Sequence, residues 1–160
     1  MTGSRRKFIT SSLTATAGML ATSNILFAQK KEKKAQLESD LVYEFVRVAH
    51  FDFKKVKELY EAEPKLIHSA WDWGGGDFET ALGGASHMGR KDIANFLLEH
   101  GARLDLFAAA MLGKLEIVKA TIETYPEAIN TPGPHGIPLV RHAEMGGEDA
   151  KAVLEYLQSL

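Results

Sequence analysis

Thr80 to Ala102 reads TALGGASHMGRKDIANFLLEHGA, and its spacing decides the fold. Thr80 is placed to cap a first helix through His87, because a threonine hydroxyl satisfies amide groups that an opening helical turn leaves without partners. Gly89 ends that helix, and Lys91 to Glu99 is predicted to form a second, with Ile93, Phe96 and Leu97 on one face and Gly101 as its stop. A helix pair this short cannot bury its own apolar stripe, so the unit requires stacked neighbours.

The same spacing recurs. Phe53, Val56, Lys57, Glu61, Pro64 and Ile67 correspond, at a constant offset of 62, to Leu115, Val118, Lys119, Glu123, Pro126 and Ile129. Six agreements at one offset mark an internal duplication. Ile137-Pro138-Leu139 stands in a last unit where Thr80-Ala81-Leu82 stands in the central one, and Gly89, Gly113 and Gly146 follow at intervals of 24 and 33 residues. The shorter interval predicts a trimmed connection, in which the chain passes Asp105 straight into Leu106. From Ser39 or Asp40, either of which is placed to cap the first helix, the chain reads as four helix pairs at about 39–67, 79–104, 105–130 and 136–160. No stretch carries the period-two alternation of a strand.

The order T-x-L-x-x-A-x-x-x-G-x-x-x-I-x-x-x-L-L-x-x-G-A resembles the ankyrin repeat, with Ala81 where that family usually has Pro and Gly83 where it usually has His. The resemblance implies an all-α, ankyrin-type helix-turn-helix solenoid of about four repeats over residues 39–160. It also implies a concave face, lined by turn tips and first-helix ends, that binds a protein partner. Matched by position, that face takes His50, His87 and Met88, then Met111 and Leu112, then Glu144 and Met145. The tip Trp71, Asp72, Trp73 and Phe78 adds three aromatics, the residue type that most often anchors an interface. Its rings either project as a docking loop or fold back to seal the next repeat. A second tip, Thr131 to Gly136, carries His135 and is stiffened by proline.

The N-terminal segment has a different character. Ser4-Arg5-Arg6-Lys7-Phe8-Ile9 resembles the bacterial twin-arginine motif, and Arg5, Arg6 and Phe8 are its expected recognition residues. The diluted apolar stretch Leu13 to Ala28 follows in the layout of an export signal, with cleavage expected after Ala28 and an inner-membrane anchor if the signal stays attached. The expected organisation is thus a signal at 1–28, a charged linker at 29–38 and the repeat domain at 39–160. The segment 1–28 holds three of the 19 basic residues and no acid, so the remainder carries 16 basic against 21 acidic residues, a charge of −5. An acidic body argues against a nucleic-acid partner. The absence of cysteine removes disulfides, thiolate zinc sites and cysteine nucleophiles.

Six histidines, at positions 50, 68, 87, 100, 135 and 142, show no H-E-x-x-H or other tight ligand spacing, so no metal and no cofactor are expected and structural roles are assigned to them. His135 and His142, which flank Pro138, form the one pairing that a turn brings close. Asp72, Asp77 and Glu79 lack the ligand ladder of a calcium loop and read as solvated acids. Gly74-Gly75-Gly76 lacks a following Lys-Ser/Thr and reads as a tip, not a phosphate cradle. No nucleophile elbow or triad order occurs. The expectation is an exported, monomeric, non-catalytic scaffold for protein-protein interaction in the cell envelope, touching membrane only through its signal. The alternative is an accessory or escort protein for an exported redox or cofactor enzyme, or a small-molecule or metal-binding protein using His135 and His142.

Overall fold

The two segments related by the offset of 62 fold alike. In the computed structural model, which describes residues 35–160, Phe53–Ala62 and Leu115–Thr124 are both ten-residue helices, and each runs into a 3-10 turn that opens on proline, Pro64–His68 and Pro126–Asn130. The described chain is mostly helical. In order it comprises α1 (Ser39–Val48), α2 (Phe53–Ala62), α3 (Ala81–His87), α4 (Lys91–Glu99), α5 (Leu106–Met111), α6 (Leu115–Thr124), α7 (Leu139–Met145) and α8 (Lys151–Gln158). Residues Leu37–Leu160 form one compact unit. The export-signal expectations at Arg5, Arg6, Phe8 and Ala28 lie outside the described residues. Among the described residues no helix is long and apolar enough to cross a membrane.

Successive pairs shelve side by side. Thr80 caps α3 by accepting the Gly83 amide at 3.1 Å, Asp52 caps α2, and Asp105 caps α5 after a connection with no projecting tip. The first cap differs from expectation: Glu38, not Ser39 or Asp40, occupies the position before α1 and caps with no side-chain bond. Gly89 and Gly113 take the left-handed conformation, with φ of +66° and +68°. In the last pair the left-handed residue is Gly147, at φ +59°, while Gly146 stays helical at φ −72° and is buried where a Cβ would strike the Met111 carbonyl and Ala150.

Helix α5 explains the tight stacking. Its Ala108, Ala109 and Ala110 are fully buried, and these small side chains let the array close up so that α3 packs against α1, α5 and α7. One core cluster joins Phe45, Leu66, Ile93, Leu97 and Met111, and a second joins Val118, Ile122, Leu139, Val153 and Leu157.

One segment departs from the all-helical expectation. Ala70–Asp72 and Phe78–Thr80 form an antiparallel hairpin, β1 and β2, pairing Ala70 with Thr80, Trp71 with Glu79 and Asp72 with Phe78. Three-residue strands are too short to display a period in sequence. The turn between them is closed by Gly74, Gly75 and Gly76, all at positive φ, with Asp72 accepting the Gly74 and Gly76 amides.

Candidate metal centre

The hairpin's alternation sends Trp71, Trp73 and Glu79 to one face and Asp72 and Phe78 to the other. Glu79 is therefore not a solvated loop acid. It is 1% exposed, the one carboxylate buried in the described core. A buried carboxylate must be paired or coordinated, and its partners come from every side. His50, just beyond α1, places Nε2 at 3.2 Å from Oε2. His87, at the end of α3, places Nδ1 at 3.0 Å from Oε1. His135, in the 3-10 turn Pro134–Gly136, places Nε2 at 3.4 Å from Oε2, and the Trp73 indole N–H donates to Oε2 at 2.8 Å.

Two of the three rings are oriented by their other nitrogen. His50 Nδ1 stands 3.0 Å from the Val46 carbonyl and 3.1 Å from that of Arg47, at the carbonyl end of α1. His135 Nδ1 stands 2.9 Å from Asp77 Oδ2, while the His135 amide donates to Asp77 Oδ1 at 2.9 Å. Both arrangements turn Nε2 inward, which is the outer-shell support that metal-bound histidines receive.

Burial alone would raise the Glu79 carboxyl. The His50 and His87 imidazoles and the Trp73 indole outweigh it and hold the group at about 2. The desolvated His50 ring would likewise lose its proton readily, but the Glu79 carboxylate and the two helix carbonyls leave it above its ordinary value. Charge balance by His50 does not complete the site. Glu79 Oε1 and His87 Nδ1 lie 3.0 Å apart but off the line of a hydrogen bond, so their contact is an ion pair without a well-directed hydrogen bond for either buried atom.

One ligand atom each from His50, Glu79, His87 and His135 lies within 4.8 Å of all the others. Ligands at tetrahedral angles about an ion, with bonds of about 2.1 Å, are about 3.4 Å apart, so a contraction within reach of side-chain rotation closes the set. Three neutral imidazoles and one carboxylate suit a divalent transition metal, not calcium or magnesium. Room for this is built into the backbone. A Cβ on Gly84 would sit 2.6 Å from His50 Cε1, and one on Gly83 would sit 3.1 Å from Glu79 Cγ. At both positions the missing side chain leaves room for the cluster.

Comparisons with family models, curated proteins and solved structures give no match. The residues themselves carry the reading.

Sequence spacing missed this convergence because its members lie far apart in the chain and meet only when α3 and α7 close across α5. His135 and His142 do not form a site of their own. Their rings lie 5.3 and 6.5 Å from that of His87, and His142 is fully buried in α7 with Nε2 unpartnered. His68 and His100 are exposed at unit edges, His100 facing the Phe96 carbonyl through Nδ1.

The candidate partner-binding residues divide. Trp71 and Trp73 fold back onto Tyr43 of the first pair, with ring centroids 5.2 and 5.7 Å away. Phe78 projects, 64% exposed, and Met88 and Phe51 are also exposed. Met111 is wholly buried in the core it shares with Phe45, Ile93 and Leu97, and Leu112 and Met145 pack against the same core. Glu144 lies at the surface, paired with Arg141. His87 and His135 belong to the cluster.

Proposed function

We propose that this chain is an ankyrin-type repeat protein whose units are pinned together by one divalent transition-metal ion held by His50, Glu79, His87 and His135. The carrying observation is the convergence of three imidazoles on a buried carboxylate, with two buried atoms facing each other without a directed hydrogen bond and two glycines making space. The ankyrin assignment is supported by the four shelved helix pairs, the left-handed glycines between helices and the reproduction of α2 in α6. Four protein ligands around one ion is the pattern of a closed structural zinc site, whereas catalytic sites keep a position open. The role proposed is therefore non-catalytic.

The twin-arginine-like segment Ser4 to Ile9 supports export to the cell envelope, a route suited to a domain that folds around its ion before crossing the membrane. A protein partner remains part of the proposal, because Phe51, Phe78 and Met88 present large apolar side chains to solvent.

Metal analysis and titration of the chelator-treated full chain test the centre. One equivalent of zinc or a neighbouring divalent ion is expected to bind. Thermal stability should rise with it, by about 2.7 kcal/mol when free metal is a hundredfold above Kd, and Glu79→Gln should abolish both effects. A chain that binds no stoichiometric ion, or binds it equally well as Glu79→Gln, overturns the proposal.

A further inference from the structure

Three of the four ligands come from the first two helix pairs, and each is largely buried. His135 arrives from elsewhere. It belongs to the tip at 131–136 that leads into α7, and its side chain is 34% exposed. It is also the one non-glycine residue at positive φ among those described, with φ 59° and ψ 20°. Such a conformation costs of the order of 1–3 kcal/mol and persists only where the surroundings impose it.

The imposed contacts lie on both sides of the tip, the His135 ring standing 5.8 Å from that of Trp73 and 5.3 Å from that of His87. Asp77 grips the His135 amide and ring, Gly133 donates to the Ile137 carbonyl at 2.9 Å, and Gly133 lies against Phe107, where a Cβ would meet the ring at 3.1 Å. The opposite side of the same tip is a wall. Pro132, Gly133 and Pro134 face Asp77, Phe78, Gly83, Asp105 and Phe107 across a groove of about 480 Å³. One short strap thus offers a ligand atom to the metal centre on one side and bounds a groove on the other.

We infer that the 131–136 tip is a metal-operated strap: the ion holds His135, fixes the tip, and thereby sets the shape of the groove between the tip and the β1–β2 hairpin. This rests on the metal reading of the centre. Without the ion, the strap is held to the hairpin by the partly exposed Asp77 pair, which contributes little, and by the looser 3.4 Å approach of His135 Nε2 to Glu79 Oε2. With it, a coordination bond ties the strap to α1, β2 and α3 together. Reciprocity follows: whatever favours the fixed strap tightens ion binding by the same factor.

Amide hydrogen exchange on the full chain, with zinc and with chelator, tests the coupling. Zinc is expected to slow exchange at Gly133, His135, Gly136 and Ile137 on the order of tenfold, a local change in the opening equilibrium. His135→Asn removes the ring but tolerates the left-handed backbone. It should still bind zinc, more weakly, and should lose the slowing at the tip. Glu79→Gln should lose zinc binding and the slowing together. Zinc binding that leaves exchange at the tip unchanged, or that slows it equally in His135→Asn, overturns the strap while leaving the centre intact. Absence of zinc binding in the unaltered chain overturns the centre itself.

Discussion

The first and third helix pairs share their second helix and the turn after it, and differ in the length of their first helices, ten residues against six, and in what stands at the end of them. Helices α2 and α6 begin, end and pass into proline-led 3-10 turns 62 residues apart. At that same offset, His50 of the first pair corresponds to Leu112 of the third. His50 turns its ring toward Glu79, whereas Leu112 packs into the apolar core beside a fully buried Met111. Ridge-and-groove packing sets where the helices lie and is indifferent to the side chain at their ends, so the same frame carries pure core in one place and a histidine facing Glu79 in the other.

Two substitutions separate those duties. Met111→Ala should produce the larger loss of stability, about 2–5 kcal/mol by chemical denaturation, because it opens a cavity in the core with or without metal. His50→Leu writes the third pair's residue into the first. It should abolish the stabilisation that zinc confers, and in chelator it should itself cost stability because the buried Glu79 carboxylate loses a charge partner, whereas Met111→Ala should keep the zinc response. A zinc response that survives His50→Leu would place the ion elsewhere.

That contrast also explains what was legible beforehand. Caps, stops and apolar periods are local in sequence, so the helices from Ala81 to Glu99 and the α2–α6 duplication could be read directly. The hairpin was hidden by its shortness. The candidate centre was hidden by topology: His50 and His87 come from the ends of two helices, Glu79 and His135 from two tips, and no fixed spacing joins them. The one local sign was negative, Gly83 and Gly84 standing where a repeat helix has no need of glycine. Such a pair costs helix stability, about 1 kcal/mol for each residue relative to alanine, which asks for a close approach to justify it.

Gly84→Ala probes that approach. Helix propensity favours alanine, so a framework-only reading expects a gain in stability. The geometry expects the reverse for the centre, since the added methyl meets His50 Cε1 at 2.6 Å and displaces the ring. Ion affinity should fall about 10- to 100-fold, the range seen when the support of a metal ligand is disturbed, as read by competition with a chromophoric chelator. Unchanged affinity would mean that His50 is not held where the site needs it.

The smallest effect concerns His142, the buried imidazole of α7 that the centre leaves unused. Burial pushes it below its ordinary value, only partly offset by the Pro138 carbonyl. His87, Asp105 and Glu79 are the titratable groups whose charges reach it. Because its folded value lies below the unfolded one, the unfolded chain takes up the proton first. Stability from the neutral ring is therefore fully present above an unfolded value of about 6.5 and is lost as pH falls from there toward the folded value. The slope in that window is at most about 1.4 kcal/mol per pH unit. His142→Gln cannot titrate, so its stability relative to the unaltered chain, measured in chelator, should improve between pH 7.5 and pH 5.5. His50 titrates in the opposite sense in both proteins, since its raised value favours folding at low pH, and it cancels in that difference. A constant difference across the two pH values would show that the ring exchanges protons as freely in the folded chain as in the unfolded one, and that the closure of α7 over the array is looser than its buried position implies.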